Sequence, residues 1–393
     1  MALVKVIKGN LSLIAMIFFA GCFFLSSIFA KKILSDESFY QYNLLTTIFS
    51  MSFTFCFLGS EQLFLRFGSV TNGRYHVSID TIKLMLTSNF IFILVCYFFL
   101  KGILFEDANK LYFLLVPIYT ALFVLTYNLL RVQQKFLLSQ AVNNLWKITL
   151  LLAVLLWNLV DFYVVSHVLL AFGALIVLLT LYLNRDSLVI DRSKQPKDWV
   201  QLFIGFSISL FVLLLINNID RLMIEKLLSQ DDFSNYVYLI TLLIMPFSIL
   251  SSYFGFKEVA FLKVKYNKKV FNNKILKVAC LSCVTYFIWF FLLFIFRNLI
   301  DVPVELGFFI PCLIIVVFKS SYSLVSSLFG LKASYRQILI TNLVTILVIA
   351  AIFILLMLFG VSYLYLLYAI SFIWVFRFSI YYMQIRKVSE YEV

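Results

Sequence analysis

The chain has 393 residues, 63% of them hydrophobic and 13% charged, with a mean hydropathy of +1.01. That mix excludes a soluble globular domain and makes the bilayer the solvent. The net charge of +13 reads as membrane topology and not as a nucleic-acid footprint, because the cations gather on one side.

Twelve apolar segments read as spanning helices, at roughly 10–30, 40–66, 82–104, 111–131, 143–162, 164–183, 199–220, 234–256, 275–296, 306–329, 338–359 and 362–382, since a span needs about 20 apolar residues. Span one is too long for the apolar region of a signal peptide, and Ile28 and Ala30 make a poor cleavage site, so it is expected to be retained. Span two ends in GSEQLFLRF. Glu61 and Arg66 are five residues apart, about 140° around a helix, whereas Gln62 and Arg66 share a face. This reads as a charged helix end anchored at the inner interface.

Spans four, five and twelve carry Arg131 (with Tyr127 one turn earlier), Lys147 (with Asn143 and Asn144) and Arg377 (below Trp374). Each is placed within a turn or two of the inner surface, where long cationic side chains snorkel to water. His167 stands alone in span six and reads as a packing or hydrogen-bonding residue. The polar join NRDSLVIDRSKQPKD, at 184–198 and holding Pro196, divides residues 1–190 from 191–393. In span seven, NNIDRLMIEK sets Asn217, Arg221 and Glu225 on one face, with Asp220 beside them. Arg221 and Glu225 could also pair with each other.

Span eight ends with Lys257, Glu258 and Lys263 at the start of a stretch of seven Lys running to Lys277. Positive-inside bias and contact with anionic membrane lipids account for it. All six cysteines fall within spans, and the CxxC of Cys280 and Cys283 reads as small-residue packing, not metal or redox chemistry. Span ten holds the deepest charge, Lys319, with Ser323, Ser326 and Ser327 on its side of the helix. A charge at that depth costs roughly 2.5–3.5 kcal/mol on insertion scales, so it should face a cavity or a partner. With both termini inside, about 24 of the 32 basic residues lie on the cytoplasmic side. Lys31, Lys32, Lys101, Lys110, Arg221, Lys226 and Arg297 lie outside.

Leu34–Phe53 (LSDESFYQYNLLTTIFSMSF) returns as Leu228–Phe247 (LSQDDFSNYVYLITLLIMPF). Without a gap, 8 of 20 columns are identical, where chance in this composition gives about two. The shared unit is a polar turn leading into an apolar run. Two related membrane halves are the mark of a secondary transporter, with its site where the halves meet. HExxH, GxSxG and Walker motifs are missing, so no enzyme, metal or cofactor is expected. Cations outnumber acids within the spans, which suits an anionic cargo.

LSDESFYQY…LGSEQLFLR and NNIDRLMIEKLLSQDDFSNYVYL, set in this twelve-span layout, resemble an O-antigen or polysaccharide-unit flippase of the multidrug/oligosaccharidyl-lipid/polysaccharide exporter superfamily. The family tends to carry an Asp in span seven, matched by Asp220. Its Gly-x-Tyr opening the next span is altered to Tyr40 and Ser234. The resemblance implies an all-α membrane protein of two parallel six-helix halves around a cationic cavity, in the bacterial inner membrane. It would move undecaprenyl-pyrophosphate-linked oligosaccharides to the outer leaflet, coupled to H+ or Na+, beside a polysaccharide polymerase and a chain-length regulator. Arg66, Arg131, Lys147, Asn217, Asp220, Arg221, Lys319, Ser323 and Arg377 would then serve the pyrophosphate or acidic sugars. A drug or small-solute antiporter is the first alternative, although the loop FGSVTNGRYHVSID lacks the Gly-rich basic motif of major-facilitator-type carriers. A non-transporting scaffold of a polysaccharide-assembly complex is the second.

Overall fold

The computed structural model describes residues 2–71, 74–98, 110–157, 162–192, 198–227, 229–262, 265–298, 304–359 and 362–392. Lys101, Pro196 and Lys263 lie outside them, as do the side chains of Lys110 and Lys257. Fourteen helices follow in order among the described residues: α1 (Ala2–Ile33), α2 (Asp36–Phe55), α3 (Ser60–Phe67), α4 (Ile79–Val95), α5 (Lys110–Val132), α6 (Phe136–Leu156), α7 (Phe162–Leu183), α8 (Trp199–Leu227), α9 (Gln230–Leu243), α10 (Met245–Leu262), α11 (Lys268–Ile295), α12 (Phe309–Lys332), α13 (Tyr335–Phe359) and α14 (Tyr363–Ile385). Ten are long and apolar enough to cross a membrane, or 11 spans if the bent pair α2 and α3 counts as one. The chain is therefore an all-α, multi-pass membrane protein.

The segment read as span eight is divided at Ile244 into α9 and α10, with Pro246 in the first turn of α10. Proline is tolerated there because that N–H has no partner within the helix. The segment read as span two is divided as well, between Cys56 and Gly59, with a 44° bend. A break inside lipid frees backbone carbonyls, which must be met by other groups. Cys56 C=O accepts from Asn89 Nδ2 at 3.1 Å, and Leu58 C=O accepts from the Ser207 hydroxyl of α8.

The chain forms two compact units. The first holds Met1–Leu214 and Arg221–Ser234; the second holds Leu215–Asp220 and Asn235–Val393. Most of α8 thus belongs with the first unit. The reason lies at the α2–α3 break, where Phe206 and Ser207 sit against Gly59 and Phe55 meets Phe211 at 6.2 Å. In the first unit α5 packs on α2, α4, α6 and α7, and α6 packs on α1 and α7. In the second, α12 packs on α10, α11 and α14, and α13 packs on α14.

Each unit also carries strands that the sequence reading did not anticipate. β1 (Ser69–Thr71) pairs antiparallel with β2 (Arg74–Ser78), and β2 pairs parallel with β3 (Leu188–Asp191) after α7. In the second unit β4 (Lys265–Tyr266) pairs antiparallel with β5 (Tyr391–Glu392) after α14. Tyr75 of β2 is buried and its hydroxyl donates to Phe64 C=O, with burial pushing the phenol above its ordinary range. His76 Nδ1 lies 2.8 Å from Asp191 Oδ2.

Candidate functional site

The repeat columns explain themselves in space. Ser35 caps α2 by accepting the Ser38 N–H, and Ser229 accepts the Asp232 N–H at the start of α9. Phe39, Tyr42, Leu45 and Thr47 are all buried, and so are Phe233, Tyr236, Leu239 and Thr241. The two tyrosines reach back to the preceding helix over the same separation of 16 residues. Tyr42 Oη bonds Ser26 Oγ at 2.7 Å, and Tyr236 Oη donates to Asp220 Oδ2 at 2.8 Å. Ser26 and Asp220 are themselves one repeat period apart. A buried phenol needs a partner, and each hairpin supplies it from the same place.

In the second unit the polar groups converge on α12. Lys319 Nζ donates to Asn217 Oδ1 at 2.9 Å and stands 5.4 Å from the centre of the Trp374 ring. An amide oxygen and an indole face both favour an ammonium, the latter by about 2 kcal/mol when desolvated. Ser323, Ser326 and Ser327 bond within their own helix turn, and Ser327 also bonds Gly255 C=O at 3.2 Å. Lys319 and these serines are half-buried, and no residue from Pro311 to Leu331 is exposed. That pattern differs from the lipid-type faces of α7 and α13, where Leu183 is 72% and Leu358 74% exposed. The stripe expected on span ten is thus present, partly accessible, on an otherwise enclosed helix.

Arg377 joins this group through Trp374, whose ring meets Tyr322 at 5.5 Å. It does not snorkel, contrary to the sequence reading. It is 0% exposed, its guanidinium bonded to Tyr322 Oη at 3.0 Å, Tyr381 Oη at 3.2 Å and Asn342 Oδ1 at 3.4 Å. The planar fork serves three acceptors at once and lies over both phenol rings. Asp220, 4% exposed, is tied to Tyr236.

In the first unit Lys147 also departs from expectation. The chain turns at Gln134 (φ 60°) and α6 starts at Phe136, so Lys147 falls mid-helix, eleven residues past the start and nine before the end. It is half-buried, donating to Asn144 Oδ1 at 2.6 Å with the Trp146 ring 5.8 Å away. Asn144 Nδ2 donates to Gln140 C=O at 2.8 Å, and Gln140 meets the Tyr127 hydroxyl beside Arg131. Gln140, Asn144 and Lys147 share one α6 face, so a polar ladder runs from Arg131 at the end of α5 to Lys147 at the middle of α6. Trp146 is stacked on Phe49 at 4.9 Å and 10°.

The other marked residues of this unit are held elsewhere in it. Arg66 is half-buried between the Phe67 and Phe206 rings at 5.9 and 6.0 Å. Arg221 is buried and donates to Thr47 Oγ1 at 3.2 Å, while Glu225 accepts from Tyr40 Oη at 3.0 Å, so both reach across to α2. His167 stacks on Tyr112 at 5.0 Å and 8°, a packing role as read. Cys280 and Cys283 are free and exposed on α11, so the expected packing role is wrong: they lie on its outward face. Among the described residues no group of three His, Cys, Asp or Glu could hold a metal ion.

No family model matches the chain, and no curated relative matches it. The solved structure of "protein A" superposes with a TM-score of 0.61 at 14% identity, over 98% of this chain and 95% of that one. At that identity the likeness carries the fold alone.

Proposed function

We propose that the chain is a translocase that carries undecaprenyl-pyrophosphate-linked oligosaccharide units from the cytoplasmic to the outer leaflet of a bacterial inner membrane by alternating access, driven by an ion gradient. The observation that carries this reading is Lys319. Its ammonium is held mid-helix by an amide oxygen and an indole face, on a half-accessible serine stripe of an enclosed helix. A lipid-linked sugar can leave its prenyl tail in hydrocarbon, but its pyrophosphate and sugars need a polar route. Cations and amides replace the water around the phosphates, and aromatic faces suit sugar rings.

Twelve spans in two related halves belong to the same proposal. The paired Tyr42–Ser26 and Tyr236–Asp220 bonds support it. So do the matching helix neighbours, second on fourth, third on fourth, fourth on sixth and fifth on sixth in each unit. A strand tie between the second–third connection and the segment after the sixth span recurs in both. The broken α9–α10 then counts as one span, like the bent α2–α3. Both termini would be cytoplasmic, and a polymerase and a chain-length regulator would be the natural partners.

The test is complementation in flippase-null cells supplied with defined lipid-linked repeat units. Restored surface polysaccharide with at least one unit supports the reading. Failure of a well-inserted wild type across the panel overturns it.

A further inference from the structure

The contacts behind Lys319 form a crossed pair between two helices. α12 and α14 each carry one cation and one aromatic residue three positions apart: Lys319 and Tyr322 on α12, Trp374 and Arg377 on α14. Residues at that spacing share a helix face. Each cation lies against the ring of the other helix. Lys319 Nζ is 5.4 Å from the centre of the Trp374 ring, and the Arg377 guanidinium is 5.2 Å from the centre of the Tyr322 ring. The two rings meet edge to face at 5.5 Å, an arrangement that aromatic quadrupoles favour.

The two cations differ in what they can reach. Lys319 is half-buried, whereas Arg377, Trp374, Tyr322, Tyr381 and Asn342 are all buried. The Arg377 fork is occupied inside the unit: Nε donates to Tyr322, one terminal nitrogen to Tyr381 and the other to Asn342 of α13. Phe318 packs on Phe378 at 5.4 Å and Phe329 on Tyr381 at 4.4 Å, before and after the crossing along α12. The indole, 2% exposed, therefore rests on a phenol that is itself bonded to Arg377. A lysine stem is flexible, so the place of its ammonium depends on what it rests on. Lys147 in the first unit shows the contrast, because Asn144 and Trp146, its acceptor and its ring, both come from its own helix.

We propose that Arg377 is a positioning residue for Lys319: through Tyr322 and Trp374 it fixes where the ammonium stands, and it does not touch the cargo itself. The cargo half of this rests on the transport reading; the placement of the ammonium does not.

Nuclear magnetic resonance of the purified full chain in detergent, its lysines carrying isotope-labelled methyl groups, tests the placement. Methylation keeps the charge. The Lys319 signal, identified by its loss in Lys319→Arg, should be shifted by the indole ring relative to that of Lys332, an exposed lysine at the end of the same helix. Tyr322→Phe keeps the ring and removes the hydroxyl that Arg377 holds. In that variant and in Arg377→Lys the signal should move toward that of Lys332. A role in stability alone lowers the melting temperature and leaves the native signal in place. A wild-type signal without the ring shift, or one unmoved in Tyr322→Phe, overturns the proposal, whether or not Arg377→Lys folds.

Affinity for undecaprenyl pyrophosphate tests the cargo half. Tyr322→Phe should weaken it about tenfold, the scale on which loss of a group behind a binding residue is felt. In a chain already carrying Lys319→Ala it should have no effect. Equal weakening in both chains overturns the proposal, since Tyr322 and Arg377 would then act other than through Lys319. A wild type that binds no undecaprenyl pyrophosphate, while its Lys319 signal behaves as expected, leaves the positioning standing and removes the flippase reading instead.

Discussion

Gly59→Ala should destabilise the first unit, and its cost can be worked from two separate terms. Gly59 has φ of 91°, where any L-residue with a Cβ pays roughly 1–2 kcal/mol. A Cβ built there would also lie 2.8 Å from Ser207 N and 2.9 Å from Phe206 C. Both are backbone atoms of α8, so no side chain can swing away. Overpacking of this kind costs roughly 1–3 kcal/mol. The sum, about 2–5 kcal/mol, is a large share of the roughly 5–15 kcal/mol that holds a native protein together. At about 2–4 °C per kcal/mol for a unit of this size, the melting temperature in detergent should fall by several degrees. Gly330→Ala, where nothing lies within 4 Å of the added Cβ, should leave it nearly unchanged. If both variants melt like the wild type, the close approach of α8 to the broken span is not there.

Three further outcomes follow from the packing. In a double-mutant cycle of Tyr236→Phe and Asp220→Asn, thermal unfolding should show coupling of about 1.5–3 kcal/mol, because the acceptor is a carboxylate. Tyr42→Phe, which loses only hydroxyl partners, should cost about 0.5–1.5 kcal/mol. Arg377→Lys should lower the melting temperature although charge is kept, since one ammonium cannot reproduce the planar fork toward Tyr322, Tyr381 and Asn342; equal stability would refute the cage. For Tyr75 the folded state holds the phenolic proton more tightly than the unfolded chain, whose ordinary value is 10. Its contribution is therefore intact below about pH 10 and lost as pH rises above it, and Tyr75→Phe should remove that alkaline component from the stability profile.

What could be read from the chain, and what could not, divides by range. The repeat columns were legible because the same local geometry, a Ser cap and a buried phenol reaching back 16 residues, imposes the same residues twice. The serines around Lys319 follow from helical spacing alone, and the stripe is there. The depth of Lys147 is not legible locally because the apolar run beginning near Asn143 hides the true helix start at Phe136. That start is set by the turn at Gln134, where Lys135 N–H bonds Leu130 C=O at 2.9 Å. The enclosure of Arg377 depends on Tyr322 and Asn342, 55 and 35 residues away, and no local pattern carries it. The strand ties were hidden for the same reason, with Tyr75 pairing to Leu188 across the whole half. The alternation of polar and apolar residues in Arg74–Ser78 is a local sign of them. Glu61 looked like an ordinary charged helix end; its burial comes from α4, α5 and α8 closing over a break that two left-handed residues create.

The most direct test of the account is movement of a lipid-linked oligosaccharide probe between leaflets of proteoliposomes holding the purified chain. The wild type should bring the probe's headgroup to the opposite leaflet, and Lys319→Ala, inserted to the same level, should not. Lys319→Arg should keep part of the activity, because charge remains while shape differs. Movement by Lys319→Ala at the wild-type rate would contradict the account and leave Lys319 as a structural residue of α12.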